Sequence, residues 1–216
     1  MSTLRTKTGS LTYVAFGDSI TVGAKASVPE HRWVNVFAAL LERELGRSIT
    51  LHNKGVGDNT ISPRTTNYVE ASKPSATERI QSDVVALAPE LVSIAFGLND
   101  MRFGTPVEIF AADLEALCST CKAALPDATL VVLNVFHMSK YDSFPPRNQG
   151  SRAVAERYNL AIAEIAQRQG LIHADVSAAM GFRDGLIHAD GVHAADLGHR
   201  LIGNRVFESL ALGALC

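Results

Sequence analysis

Ser19 stands in the segment Gly17-Asp18-Ser19-Ile20-Thr21, directly after the apolar run Leu11–Phe16. A serine hydroxyl is a weak nucleophile until a base takes its proton. Such a base is found near the other end of the chain, in Asp190-Gly191-Val192-His193. One ring nitrogen of His193 would take the proton. Asp190, three residues earlier, would hold the other through a local turn, fixing the tautomer and stabilising the imidazolium as it forms. Two further polar blocks, Gly55-Val56-Gly57-Asp58 and Gly97-Leu98-Asn99-Asp100, follow other strand-like runs. They offer donors for the oxyanion of acyl transfer: the Asn99 side-chain amide and the backbone N–H of Gly57, with the N–H of Ser19 as a third. Each block alone has an ordinary reading as a helix cap or a turn. Together, in this order, they form a complete set of parts for acyl transfer.

These residues need a scaffold that brings them together. Short continuous apolar runs at Leu11–Phe16, Ser48–Asn53, Leu91–Phe96, Thr129–Asn134 and Leu171–Asp175 read as strands covered on both faces. Helical patterns lie between them at Trp33–Leu45, Ala76–Leu87, Pro106–Leu125 and Arg152–Gln169, and a last helix covers about 195–212. Gly46, Gly170 and Pro126 act as stops. Alternating strands and helices with right-handed crossovers predict a three-layer α/β/α sandwich around a five-stranded parallel sheet. In such a sheet the polar blocks fall side by side at the carboxyl ends of the strands, where open α/β folds place their ligands. Two long polar loops, 55–75 and 136–150, should overhang the same edge. Their Asn59, Arg64, Tyr68, Tyr141, Arg147 and Asn148 suit a polar ligand.

The 216 residues are 47% hydrophobic and 19% charged, which fits one domain spanning 1–216. A net charge of -2 gives no footprint for nucleic acid, and no apolar stretch is long enough for a membrane span. Met1 to Ser10 carry no apolar leader, so the expected location is cytoplasmic. Three cysteines, Cys118, Cys121 and Cys216, are too few for a disulfide framework. The Cys118-x-x-Cys121 pair lies in a helical pattern and reads as two small buried hydrophobes.

Two other readings compete. His173, Asp175, Asp184, His188, Asp190, His193, Asp196 and His199 crowd the last quarter of the chain and would allow a metal-dependent hydrolase. No recognised ligand spacing supports it. A glycine-serine turn before a helix is also an anion nest, as in a binding module without turnover. That reading leaves the other acyl-transfer parts unexplained.

The four blocks resemble, in family order, those of the SGNH hydrolases, the GDSL family of esterases and lipases. The resemblance spans nearly the whole chain. It matches Ser19 to the nucleophile, Gly57 and Asn99 to the oxyanion donors, and Asp190 and His193 to the rest of the triad. It implies a flavodoxin-like sheet and ester hydrolysis through an acyl-enzyme, with no metal and no cofactor. The block around Ser19 also differs from the G-x-S-x-G elbow of the α/β-hydrolases, since the next glycine comes only at Gly23. The expected substrate is a short-chain acyl ester, acetyl in the first place, of a carbohydrate or small polar molecule. Thioesters, lysophospholipids and aryl esters are the alternatives within the family.

Overall fold

The computed structural model describes residues 3–6 and 8–215. After a helical turn, α1 (Thr3–Thr6), come β1 (Leu11–Gly17), α2 (Ser19–Val22), α3 (Trp33–Leu45), β2 (Ile49–Gly55), α4 (Ala76–Asp83), β3 (Leu91–Ala95), α5 (Leu98–Arg102) and α6 (Val107–Ala124). The chain continues through β4 (Thr129–Leu133), α7 (Arg152–Gln169), β5 (Ile172–Ala174), α8 (Val176–Met180) and α9 (Asp196–Leu210).

The five strands form one all-parallel sheet in the order β2-β1-β3-β4-β5. β1 lies between β2 and β3, and Tyr13 through Gly17 are all buried. That is the reason for its unbroken apolar run: a central strand covered on both faces has no solvent side on which to alternate. Its one buried hydroxyl, on Tyr13, is satisfied by Ser93 Oγ on β3 at 2.7 Å. α3 and α9 pack together over one face, and α4, α6 and α7 form the other layer. The register sets Gly17 opposite both Gly55 and Ala95, so three strands end level beneath the site. Glycine is required at both of the first two positions. A Cβ on Gly17 would lie 2.1 Å from Thr21 Oγ1, and one on Gly55 would lie 2.3 Å from the Val22 backbone nitrogen.

The fold is the three-layer sandwich read from the sequence, and α3 and α7 have the bounds read there. Other boundaries moved for local reasons. The helix expected over Ala76–Leu87 ends at Asp83, because Val84 leaves helical geometry and a 3₁₀ turn follows at Val85–Leu87. β5 stops at Ala174 because the Asp175 carboxylate turns to cap α8, accepting the Ala178 N–H at 2.9 Å. β2 runs two residues further than expected, to Gly55, since its ladder with β1 extends to Gly17.

Cys118 and Cys121 are buried on α6, where burial pushes both thiols up to about 12. That fits two inert small hydrophobes rather than a redox pair. Cys216 lies outside the described residues. No helix among the described residues is long and apolar enough to cross a membrane.

Candidate active site

β1 delivers Ser19 two residues past its end at Gly17. Asp18 caps the single turn of α2 by accepting the Ile20 N–H at 2.9 Å, and Ser19 opens that turn. The hydroxyl reaches the rim of a cleft of about 610 Å³. Gly57, Asn99, Asp190 and His193 line the same cleft. All five residues singled out in the sequence therefore meet in one place.

The His193 side is a tight local turn. Ile187 and Ala194 form an antiparallel bridge, with His188 N–H donating to the His193 carbonyl at 2.8 Å. Within the turn, Asp190 Oδ1 accepts the backbone N–H groups of Val192 and His193 at 2.9 and 3.0 Å. Its other oxygen lies 2.8 Å from His193 Nδ1, and His193 Nε2 lies 3.0 Å from Ser19 Oγ. Partial burial opposes ionisation of Asp190, but these N–H groups and the ring outweigh it and hold the carboxyl well below the usual range. A carboxylate on Nδ1 favours the tautomer with the proton on Nδ1, which leaves Nε2 as an acceptor facing Ser19 Oγ.

The Ser19 side is held by bonds between distant segments. Arg79 on α4 is buried and binds four oxygens. Its Nη2 donates to the Gly17 carbonyl at 2.8 Å and to Asn59 Oδ1 at 2.9 Å, and its Nη1 to the Lys54 carbonyl at 2.8 Å and to Asp83 Oδ2 at 2.9 Å. Its guanidinium stacks 4.3 Å from the Phe16 ring centre. One cation thus ties together the ends of β1 and β2. Asn59 in turn donates to the carbonyls of Ser72 and Pro74, both at 2.8 Å. Its own carbonyl accepts from Asn99 Nδ2 at 3.0 Å. An amide nitrogen carries two hydrogens, so Asn99 keeps one for the cleft. At Gly57 an added Cβ would meet nothing within 4 Å, so the backbone there is open on the cleft side.

Two buried carboxyls brace this wall. Asp100 Oδ1 accepts the Ile61 N–H at 3.0 Å and the Thr65 hydroxyl at 2.7 Å, pinning the loop that carries Gly57. Burial raises Asp100 to about 6, against those hydrogen bonds. Burial likewise raises Asp18 to about 7, partly offset by the Ile20 N–H and reinforced by the nearby Asp100.

The long loops do reach the cleft, but not through the side chains expected. Of the polar residues singled out on them, only Arg147 lines it. Asn59 is buried in the Arg79 network, Arg64 pairs with Asp113 at 2.8 Å, and Tyr68 donates to Glu78 at 2.5 Å. The loop residues present instead are Asp58, Lys140, Ser143 and Phe144. Arg79, which the sequence reading passed over, left one trace: a charge beside Ala76 and Ile80 on the face that α4 buries. Of the residues of the crowded last quarter, His188, Asp190 and His193 stay together in one turn and others disperse. Asp175 caps α8, Asp184 meets His137 at 2.7 Å, Asp196 meets Ser27 and His31, and His199 is buried against the Ala24 carbonyl. Among the described residues, no three His, Cys, Asp or Glu side chains gather as a metal site.

The model of the GDSL-like lipase/acylhydrolase family matches residues 15–201. The chain belongs to this family. Membership makes it a carboxylic ester hydrolase acting on small ester substrates. No curated protein matches the GDSL hydrolase by sequence. Among solved structures, a protein from Parabacteroides merdae described as a GDSL-like lipase superposes with a TM-score of 0.74 at 19% identity, over 96% of this chain and 99% of that one. An acetylxylan esterase from Geobacillus stearothermophilus gives 0.70 at 22% identity, over 94% and 95%. A lipolytic G-D-S-L protein from Desulfitobacterium hafniense gives 0.69 at 18% identity, over 92% and 99%. At these identities the likeness is one of fold.

Proposed function

We propose that this GDSL hydrolase is a serine esterase in which Ser19, His193 and Asp190 form the catalytic triad. Its substrates are short-chain acyl esters, acetyl in the first place, of carbohydrates or small polar molecules. The observation that carries the reading is the unbroken chain from Ser19 Oγ through the His193 ring to Asp190, with links of 3.0 and 2.8 Å.

His193 Nε2 takes the proton of Ser19 as Oγ attacks the ester carbonyl. The imidazolium formed is stabilised by the Asp190 carboxylate. The Asn99 amide and the N–H groups of Gly57 and Ser19 receive the oxyanion, which is where most of the barrier lowering is expected. The imidazolium then protonates the leaving alcohol, and water repeats the sequence on the acyl-enzyme. Arg102, Lys140 and Arg147 on the cleft walls favour a polar substrate over a long acyl chain. The acetylxylan esterase from Geobacillus stearothermophilus points the same way, and variants of it lacking a serine or an aspartate are described as catalytic mutants. The test is a series of 4-nitrophenyl esters from acetate to decanoate. The reading expects kcat/KM to be highest at the acetate and to fall with chain length, and a maximum at eight carbons or more would overturn the acetyl assignment.

A further inference from the structure

Among the described residues, Arg102 is a buried cation without an ion-pair partner. It ends α5, three residues after Asn99, and lines the same cleft as Ser19 at 6% exposure. Its guanidinium makes one described hydrogen bond, from Nη2 to Ser143 Oγ at 3.2 Å, and its buried Nε has no partner. The other buried arginines differ: Arg47 pairs with Glu90 at 3.0 Å and Arg79 with Asp83 at 2.9 Å. Among the described residues no carboxylate forms an ion pair with Arg102. Both carboxylates of the cleft are engaged elsewhere, Asp58 by a two-pronged contact from Arg147 and Asp190 by His193. Lys140 adds a second cation to the cleft without a described ion pair.

Burying a guanidinium with its donors unpaired is costly, and stable proteins avoid it unless something supplies the missing acceptor. Burial pushes the pKa of Arg102 down and the charge of Arg147 adds to that, only partly offset by the more distant carboxylates of Asp58, Asp18 and Asp190. Both effects would be relieved by an oxyanion from outside the chain. A planar guanidinium with free N–H groups fits a carboxylate or phosphate by two parallel hydrogen bonds. Phe144 is 56% exposed on the same cleft and offers a face for the ring of an alcohol group between the two ends.

We propose that Arg102, flanked by Lys140, is an anion subsite of the Ser19 cleft, and that the substrates of this GDSL hydrolase are esters that also carry a carboxylate or a phosphate monoester. This rests on the esterase reading above. The test compares wild-type kcat/KM for 3- and 4-acetoxybenzoate with that for their neutral methyl esters, and for the corresponding acetoxyphenyl phosphates, each normalised to its hydroxide-catalysed rate. A charge-assisted pair predicts a preference of about ten- to a hundredfold for at least one anionic series. The series that shows it tells carboxylate from phosphate. In Arg102→Gln that preference should collapse towards unity, and inorganic phosphate should compete with the anionic ester in the wild type. Neutral esters turned over as well as every anionic one would overturn the subsite and leave the esterase reading standing, a result that holds even if Arg102→Gln fails to fold. A preference that survives intact in folded Arg102→Gln would also overturn it. No hydrolysis of any ester would overturn the esterase reading and the subsite with it.

Discussion

The wall that carries Ser19 and Asn99 is tied by buried polar bonds between residues far apart in sequence, whereas the wall that carries His193 is one local turn. On the first, Arg79 reaches Gly17, Lys54, Asn59 and Asp83, and Asn59 passes the constraint to Asn99. On the second, Asp190 binds the backbone of Val192 and His193 and the ring of His193, all within four residues. Ser19, Gly57 and Asn99 come from three strand ends and must be fixed by tertiary structure. His193 and Asp190 come from one turn and fix each other. Loss of a side chain on the first wall should therefore register in both stability and rate, and on the second in rate alone.

The largest effect that would break this contrast is at Asp190. Replacing it with Asn keeps the backbone turn but supplies a neutral amide that favours the wrong tautomer of His193. A drop in kcat of ~10³–10⁴ is expected, with a melting temperature close to wild type. If Asp190→Asn melted far below wild type, the second wall would not be self-contained. At Arg79 the expectation reverses. Arg79→Met leaves the buried Asn59 Oδ1 without its donor and removes one donor each from the Gly17 and Lys54 carbonyls and from Asp83, and breaking such a network should cost about 3–5 kcal/mol in chemical denaturation. Denaturation unchanged within about 0.5 kcal/mol would show that the first wall does not depend on the cation.

Asn99→Ala sharpens the comparison, because Asn99 belongs to the first wall yet faces the reacting atoms. It should lower kcat by ~10²–10³ with little change in KM. A rise in KM alone would assign Asn99 to ground-state binding. The last comparison concerns Asp18. Its folded pKa of about 7 lies above the ordinary carboxylate value, so the folded state binds the extra proton. The stability this contributes is present at low pH and declines as pH rises from about 4, the unfolded value, to about 7. The stability of Asp18→Asn minus that of the wild type should therefore climb from pH 4 to 7 and then level off. A flat difference would mean that Asp18 is ionised in the fold.

The same contrast governs what could be read from the chain. Asp190 and His193 were legible because their partnership is local and their spacing is the signal. Ser19, Gly57 and Asn99 were legible because each follows a strand-like run, and a parallel sheet brings strand ends together. Arg79 and Asn59 were not. Their roles depend on which face of α4 meets the sheet and on where the loop over 56–75 folds back, neither of which a local pattern encodes. Asn59 was read as a ligand contact and is instead buried structure. Element ends moved where a side chain such as Asp175 caps a new turn rather than extending the strand before it.

The central claim is that the Ser19 hydroxyl, activated by His193, is the atom that attacks. Labelling with a fluorophosphonate, followed by peptide mass spectrometry, tests this directly. A single adduct on Ser19 is expected, lost in Ser19→Ala and slowed by orders of magnitude in His193→Ala. An adduct on another residue, or labelling of Ser19 that proceeds at the wild-type rate without His193, would contradict it.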